Sequence, residues 1–240
     1  MRRLVTACLL AVSSSNALAD ENRGFFVEAD VGQPNYDVSQ QDLDDMVRLT
    51  FGGIGVPAAI TSSTVDHGGS SWWLVGGWRF FPSLAVEVGY RDLGSAKYRA
   101  SAATSNPSAT PILAGAADIS SKGPTLAVAG FAPIGNKFDV HGRLGVYFAD
   151  TGMRLDVSGT NSAGTFTFDA WDDHSGRSHD LFGGIGAAFH FSKRLAVSLD
   201  YSLLKDVGDG EGPLFKGVGD TYVTGKRDID SVTVGLRYAF

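Results

Sequence analysis

The residues with the most chemistry fall into three groups. His190-Phe191-Ser192 sets an imidazole two residues from a hydroxyl, and a nucleophilic serine needs a base within hydrogen-bond reach. Asp172, Asp173, His174, His179 and Asp180 gather carboxylate oxygens and imidazoles in one stretch, a donor set that could hold a divalent cation. Glu28, Asp30, Arg79, Glu87, Arg91, Asp139, Arg143, Asp200 and Arg237 are scattered along the chain, yet each sits among apolar residues spaced two apart. Both signs are present, so this third group can pair with itself.

Spacing by two is the strand period, because successive Cβ atoms leave opposite faces. Phe25, Val27, Ala29 and Val31 alternate with Phe26, Glu28 and Asp30. Trp72, Leu74, Gly76, Trp78 and Phe80 alternate with Trp73, Val75, Gly77 and Arg79. The same pattern sets Val86, Val88 and Tyr90 against Glu87 and Arg91, and Val140, Leu144 and Phe148 against Asp139, His141 and Arg143. It predicts strands over 24–32, 72–80, 84–93, 123–134, 138–158, 181–191, 195–204 and 231–240. Short turns join them at 81–83, 135–137 and 192–194. Long connections occupy 33–70, 94–122, 159–178 and 205–229, the first with a short helix over 42–51 packed on the mouth.

Eight strands with short and long connections in strict alternation predict an all-β protein: an eight-stranded antiparallel up-and-down transmembrane β-barrel. The apolar faces meet lipid, and the charged faces line the lumen. Aromatic residues cluster beside the short turns, at Phe80, Phe81, Phe138, Phe191 and Phe240, where a membrane interface favours them. A soluble eight-stranded barrel would turn its apolar face inward and carry more lysine and glutamate outside. In the last strand Val234, Leu236, Tyr238 and Phe240 share the apolar face, opposite Arg237. That ending resembles the C-terminal signal read by the barrel-assembly machinery of Gram-negative outer membranes.

Composition agrees with export. Arg2 and Arg3 precede an apolar run from Leu4 to Val12, and Ala17-Leu18-Ala19 is a small-residue cleavage site. Residues 1–19 therefore read as a signal peptide and 20–240 as the barrel domain. The single cysteine, Cys8, falls within the signal, so no disulfide or Cys-based metal site is expected in the mature chain. Loss of Arg2 and Arg3 moves the formal charge from −6 to about −8, which argues against nucleic acid as a partner.

Ala85-Val86-Glu87-Val88-Gly89-Tyr90-Arg91-Asp92-Leu93-Gly94, Arg143-Leu144-Gly145-Val146-Tyr147-Phe148-Ala149-Asp150-Thr151 and Val232-Thr233-Val234-Gly235-Leu236-Arg237-Tyr238-Ala239-Phe240 resemble strands of the OmpA family's transmembrane domain. Phe182-Gly183-Gly184-Ile185-Gly186 and Leu199-Asp200-Tyr201 match more loosely. The likeness covers the strands and is absent from the loops, and the peptidoglycan-binding domain often present in the family is not seen. In the family an inward glutamate alternates between a lysine and an arginine to gate ions. The resemblance puts Glu87 at the glutamate, and Arg143 and Asp200 at charged positions. The lysine and arginine positions fall on Ala129 and Ser198, so no intact switch is implied.

The inward charges read first as a salt-bridge network filling the lumen, since an eight-stranded barrel is just wide enough for its own side chains. Glu87 and Arg143 are expected to meet across it. The functional expectation is a structural or surface-interaction role through long extracellular loops. A narrow, low-conductance porin for small ions or solutes is the alternative. A barrel enzyme acting on lipid A comes third, because His190-Phe191-Ser192 resembles the His-x-Ser pair of lipid A deacylases. The Asp172–Asp180 cluster also bears some likeness to an omptin-type Asp/His protease, which needs a longer, ten-stranded barrel. Neither is favoured, so no catalytic residue, metal site or cofactor is assigned. The partners implied are outer-membrane lipid and lipopolysaccharide, the barrel-assembly machinery during insertion, and an unknown external ligand of the loops.

Overall fold

The computed structural model describes residues 23–53, 58–67, 69–104, 112–161, 164–208 and 226–240. The expected signal peptide and its cleavage site lie outside them. Alternation produces the strands β1 (Gly24–Tyr36), β2 (Ala58–Asp66), β3 (Ser71–Phe81), β4 (Leu84–Thr104), β5 (Ile112–Ile134), β6 (Phe138–Asn161), β7 (Gly164–His190), β8 (Leu195–Val207) and β9 (Arg227–Ala239). One helix, α1 (Gln40–Gly53), follows β1. Among the described residues, no helix is long and apolar enough to cross a membrane.

All pairings are antiparallel, and eight strands close a ring in the order β1-β3-β4-β5-β6-β7-β8-β9. The first and last strands seal it, with Phe26 opposite Ala239 and Tyr36 opposite Ile229. Closure matters because an open sheet edge in hydrocarbon would leave backbone N–H and C=O groups unsatisfied. The outer wall is apolar: Phe25, Leu74, Leu144, Leu181 and Ile185 are each between 55% and 68% exposed, which a water-facing wall would not tolerate as a continuous band. Near the short turns the rings touch in series. Phe138 meets Phe189 at 5.0 Å and Phe189 meets Phe191 at 4.9 Å, while Tyr238 meets Phe240 at 5.2 Å.

Three expected connections are corrected. The span 33–70 is not a simple loop: β1 runs on to Tyr36, and β2 adds a ninth strand outside the ring by pairing with β4. The spans 94–122 and 159–178 are largely strand. β4 continues to Thr104 and β5 begins at Ile112, while β6 reaches Asn161 and β7 starts at Gly164. β8 extends to Val207 and β9 begins at Arg227, and the fourth connection's residues 209–225 lie outside the described residues.

The physical reason is clearest at Gly94. The β4–β5 register shifts between Asp92 and Ser95, and Gly94 has φ +65°. Such a bulge adds one residue and reverses which side chains face inward. Inward positions are Ala85, Glu87, Arg91 and Leu93 before it, and Ala96, Tyr98, Ala100 and Ala102 after it. A period counted without the bulge stops at Leu93. The bulge also marks the place where β3 ends and β2 takes its side of β4. Tyr36 donates its hydroxyl to the Gly94 carbonyl at 3.0 Å, and the Asp92 carboxylate accepts from the Gly94 N–H at 2.8 Å.

Above the bulge the interior is apolar. Tyr36, Leu93, Tyr98, Tyr147, Phe182, Leu204 and Ile229 form one buried cluster with Leu43 and Val47 of α1. The helix is thus packed in the mouth, and it is held there by polar contacts. Tyr98 donates its hydroxyl to Asp44 Oδ1 at 2.6 Å, and Ser63 of β2 donates to Asp44 Oδ2 at 3.0 Å.

Candidate functional site: the charged lumen

Below the apolar mouth the inward positions carry the ionic residues, because strand alternation leaves them no other direction. Glu28, Asp30, Arg79, Glu87, Arg91, Asp139, Arg143, Asp200 and Arg237 are all buried. Arg143 of β6 is the hub. Its Nε donates to Glu87 Oε2 at 3.0 Å, its Nη1 to Asp200 Oδ1 at 2.6 Å, and its Nη2 to Glu28 Oε2. Glu28 also accepts from Arg237 Nε at 3.1 Å and from the Ser198 hydroxyl at 2.7 Å.

The circuit closes through histidine. His141 Nε2 lies 2.6 Å from Asp200 Oδ1, and its Nδ1 lies 3.2 Å from Asp139 Oδ1. Asp139 Oδ2 is 2.5 Å from His190 Nε2 and 3.9 Å from Arg237 Nη1. Glu28, Arg143, Asp200, His141, Asp139 and Arg237 therefore form a loop across β1, β6, β8 and β9. Both ring nitrogens of His141 thus face carboxylates. The inward set has one more carboxylate than guanidinium, and a buried charge needs a partner, so His141 stands where the surplus lies. His141 was assigned inward from the sequence but not to the charge set. Its place at i−2 from Arg143 and i+2 from Asp139 was the available signal.

Three members stand apart from that loop. Arg91 donates to the Ser202 hydroxyl at 2.6 Å and to the Ser231 hydroxyl, and its guanidinium carbon is 5.0 Å from the Trp73 ring centroid. Arg143 approaches the same ring at 5.1 Å. Trp73 thus stands between two like charges and attracts both through its π face. Arg79 lies 3.9 Å above Phe131, whose ring Arg237 approaches at 5.1 Å. Asp30 occupies the space that a side chain at Gly235 would need, and its carboxylate oxygens have no hydrogen-bond partner among the described residues. Glu28, Asp30 and Asp200 bring oxygens within 4.8 Å of one another. Arg143 and Arg237 already neutralise this trio through Glu28 and Asp200, so it makes a weak cation site.

The other chemical groups are dispersed. His190 points to Asp139, whereas Ser192 Oγ accepts from the N–H groups of Arg194 and Leu195 at 3.2 and 3.1 Å. The serine thus stabilises its own turn. His179 is exposed and meets the Phe148 ring edge-on, while its neighbour Asp180 is buried and accepts from Ser178 at 2.6 Å. Adjacent strand residues on opposite faces cannot share one ligand. The side chains of Asp172, Asp173 and His174 lie outside those described.

The positions matching the family's lysine and arginine also have settled roles. Ala129 pairs with Arg143 across the β5–β6 ladder, and Ser198 donates to Glu28. Val234, Leu236, Tyr238 and Phe240 are exposed on the outer wall. At the opposite rim, the Lys205 ammonium beside Asp228 holds that carboxyl below the usual carboxylate range.

Residues 61–240 match the model of the OmpA-like transmembrane domain family. No curated protein sequence matches the chain. Among solved structures it is similar to Neisserial surface protein A, with 12% identity over 92% of this chain and 99% of that one and a TM-score of 0.44. It is also similar to the outer membrane protein OprG from Pseudomonas aeruginosa, with 14% identity over 91% and 97% and a TM-score of 0.43. A third is Ail, the attachment invasion locus protein of Yersinia pestis, with 12% identity over 90% and 99% and a TM-score of 0.38.

Proposed function

The chain belongs to the OmpA-like transmembrane domain family, and on that premise we propose that this outer-membrane barrel acts through its extracellular part, as a structural and surface-interaction protein rather than a channel. The observation that carries the reading is the filled interior. An ionic loop centred on Arg143 and, on its outer side, the buried Tyr36, Tyr98, Tyr147 and Phe182 cluster support it. What remains for function is the extension beyond the rim. There, among the described residues, the outer part of β7 pairs only with β6, and β2 pairs only with β4. Strand edges of that kind accept partners by adding backbone hydrogen bonds.

The barrel wall has lipid and lipopolysaccharide as its surroundings and depends on the assembly machinery for insertion. The external ligand is unassigned. A narrow pore is the second reading, supported by lumen atoms without partners among the described residues, such as Glu87 Oε1 and Asp200 Oδ2. A lipid A hydrolase has less support, since Ser192 and His190 face different partners.

The test compares a deletion strain complemented with the full barrel or with one whose β4–β5 and β6–β7 tips are shortened to tight turns. Normal membrane levels with loss of surface adhesion support the proposal. Full rescue by the trimmed barrel rejects it. Planar-bilayer recordings separate the second reading: stable nanosiemens-scale openings would establish a pore.

A further inference from the structure

A cavity of about 210 Å³ opens at the short-turn end, below the ionic loop. Its lining includes Arg23, Arg79, His190, Lys193, Arg194 and Arg237, and no Asp or Glu side chain lines it among the described residues. Like charges so concentrated repel one another unless an anion sits between them. Glu28 engages Arg237 through Nε and Nη2, and Asp139 engages His190 and lies 3.9 Å from Arg237 Nη1, an ion pair without a hydrogen bond. Those contacts leave donors over. Arg79 and Arg237 are 8% and 3% exposed, and Arg79 Nε and Arg237 Nη1 have no hydrogen-bond partner among the described residues. Both side chains line the cavity.

We infer that this cavity binds the phosphate of an anionic phospholipid from the inner leaflet of the outer membrane. The inference rests on the outer-membrane orientation, in which short turns face the periplasm. Guanidinium groups suit the ligand, because their forked donors match phosphate oxygens. A lipid, rather than free phosphate, is favoured by the walls. Phe25 and Phe240 line the same cavity and are 66% and 71% exposed on the outer side. A headgroup could therefore enter while its acyl chains stay against the aromatic girdle.

The experiment uses the folded barrel in a zwitterionic detergent and native mass spectrometry. The probes are dimyristoylphosphatidylglycerol, dimyristoylphosphatidylcholine and inorganic phosphate. The variant is Arg23→Ser with Arg194→Ser, both exposed residues outside the ionic loop, and heat-modifiable migration checks that it folds. The parent should retain phosphatidylglycerol about tenfold more strongly than phosphatidylcholine, and the double variant should lose that preference, as expected for lost charge-assisted hydrogen bonds. Equal retention of the two lipids by the parent, or an unchanged preference in the variant, overturns the inference. Displacement of phosphatidylglycerol by an equal concentration of inorganic phosphate would make this a free-anion site and overturn the lipid assignment.

Discussion

Arg143 donates from Nε to Glu87 Oε2 at 3.0 Å although the whole of β5 separates their strands. The two side chains meet across the lumen, not along a ladder, so the distance measures how narrow the interior is. The pair also differs in dependence. Among the described residues Glu87 engages Arg143 alone, whereas Arg143 serves Glu87, Glu28 and Asp200 together.

That asymmetry gives a first prediction. Arg143→Gln takes Glu87's partner and one partner each from Glu28 and Asp200, which keep Arg237 with Ser198 and His141 respectively, and should cost about 3–5 kcal/mol, while Glu87→Gln removes one partner and should cost less. The double variant should be less damaging than the sum of the singles. Urea unfolding in lipid vesicles measures all three. Strictly additive losses would remove the coupling.

The closing strand gives a second. Changing Tyr238 and Phe240 to Asp, or deleting Phe240, should prevent accumulation in the outer membrane. The β9–β1 seam from Phe26–Ala239 to Tyr36–Ile229 is what removes the sheet's last open edge. Heat-modifiable migration in membrane fractions reports the outcome, and normal levels of folded barrel would contradict it.

A third concerns facing. Leu144 is 68% exposed on the lipid side, midway along the membrane part of β6. Leu144→Arg should cost about 2–4 kcal/mol if it lies near the bilayer centre. Ser198 is 1% exposed and touches Glu28, so Ser198→Arg overfills the lumen and should cost about 1–3 kcal/mol through packing alone. A neutral Leu144→Arg in equilibrium unfolding would show that this wall does not face hydrocarbon.

The fourth concerns the latch on α1, which lies outside the membrane. Burial and the hydrogen bond to the Asp44 carboxylate push the Tyr98 phenol above its usual range. Its raised folded-state pKa means the neutral phenol's contribution is intact below about pH 10 and fades as pH rises further. Protease cleavage within 40–53 should therefore accelerate in alkali. Tyr98→Phe should loosen the helix at neutral pH by about 1.5–3 kcal/mol, the range for a hydrogen bond to a charged group, and remove the alkaline step. An alkaline step that survives in Tyr98→Phe would assign it elsewhere.

Much of the barrel was legible because alternation is a strong constraint where one face meets lipid. The inward placement of Glu28, Glu87, Arg143 and Arg237 follows from their apolar neighbours, and the closing strand is explicit in Val232 to Phe240. Beyond the rim the signal weakens. Once both faces meet water or small side chains, Ala96, Ala100 and Ala102 look like the alanines of any loop. The bulge at Gly94 then reverses their phase. β2 was missed for the same reason: Thr61, Ser62, Ser63 and Thr64 show no apolar alternation and are held by pairing to β4. Of the lumen partners only the Glu87–Arg143 pair was legible; the contacts of Arg143 with Glu28 and Asp200 depend on ring closure.

Among the described residues, that closure stops at the rim. Where β3 gives way to β2, the wall becomes a five-stranded sheet running β2-β4-β5-β6-β7. In hydrocarbon a broken ladder is prohibitive, but in water it is cheap. The shared strands therefore join two regions with different tolerance for error. The outer sheet can fray, lengthen or accept insertions without breaching the membrane seal, and the lower ring can stay fixed while it does so. Hydrogen exchange should resolve these as two cooperative units with a border near Gly94.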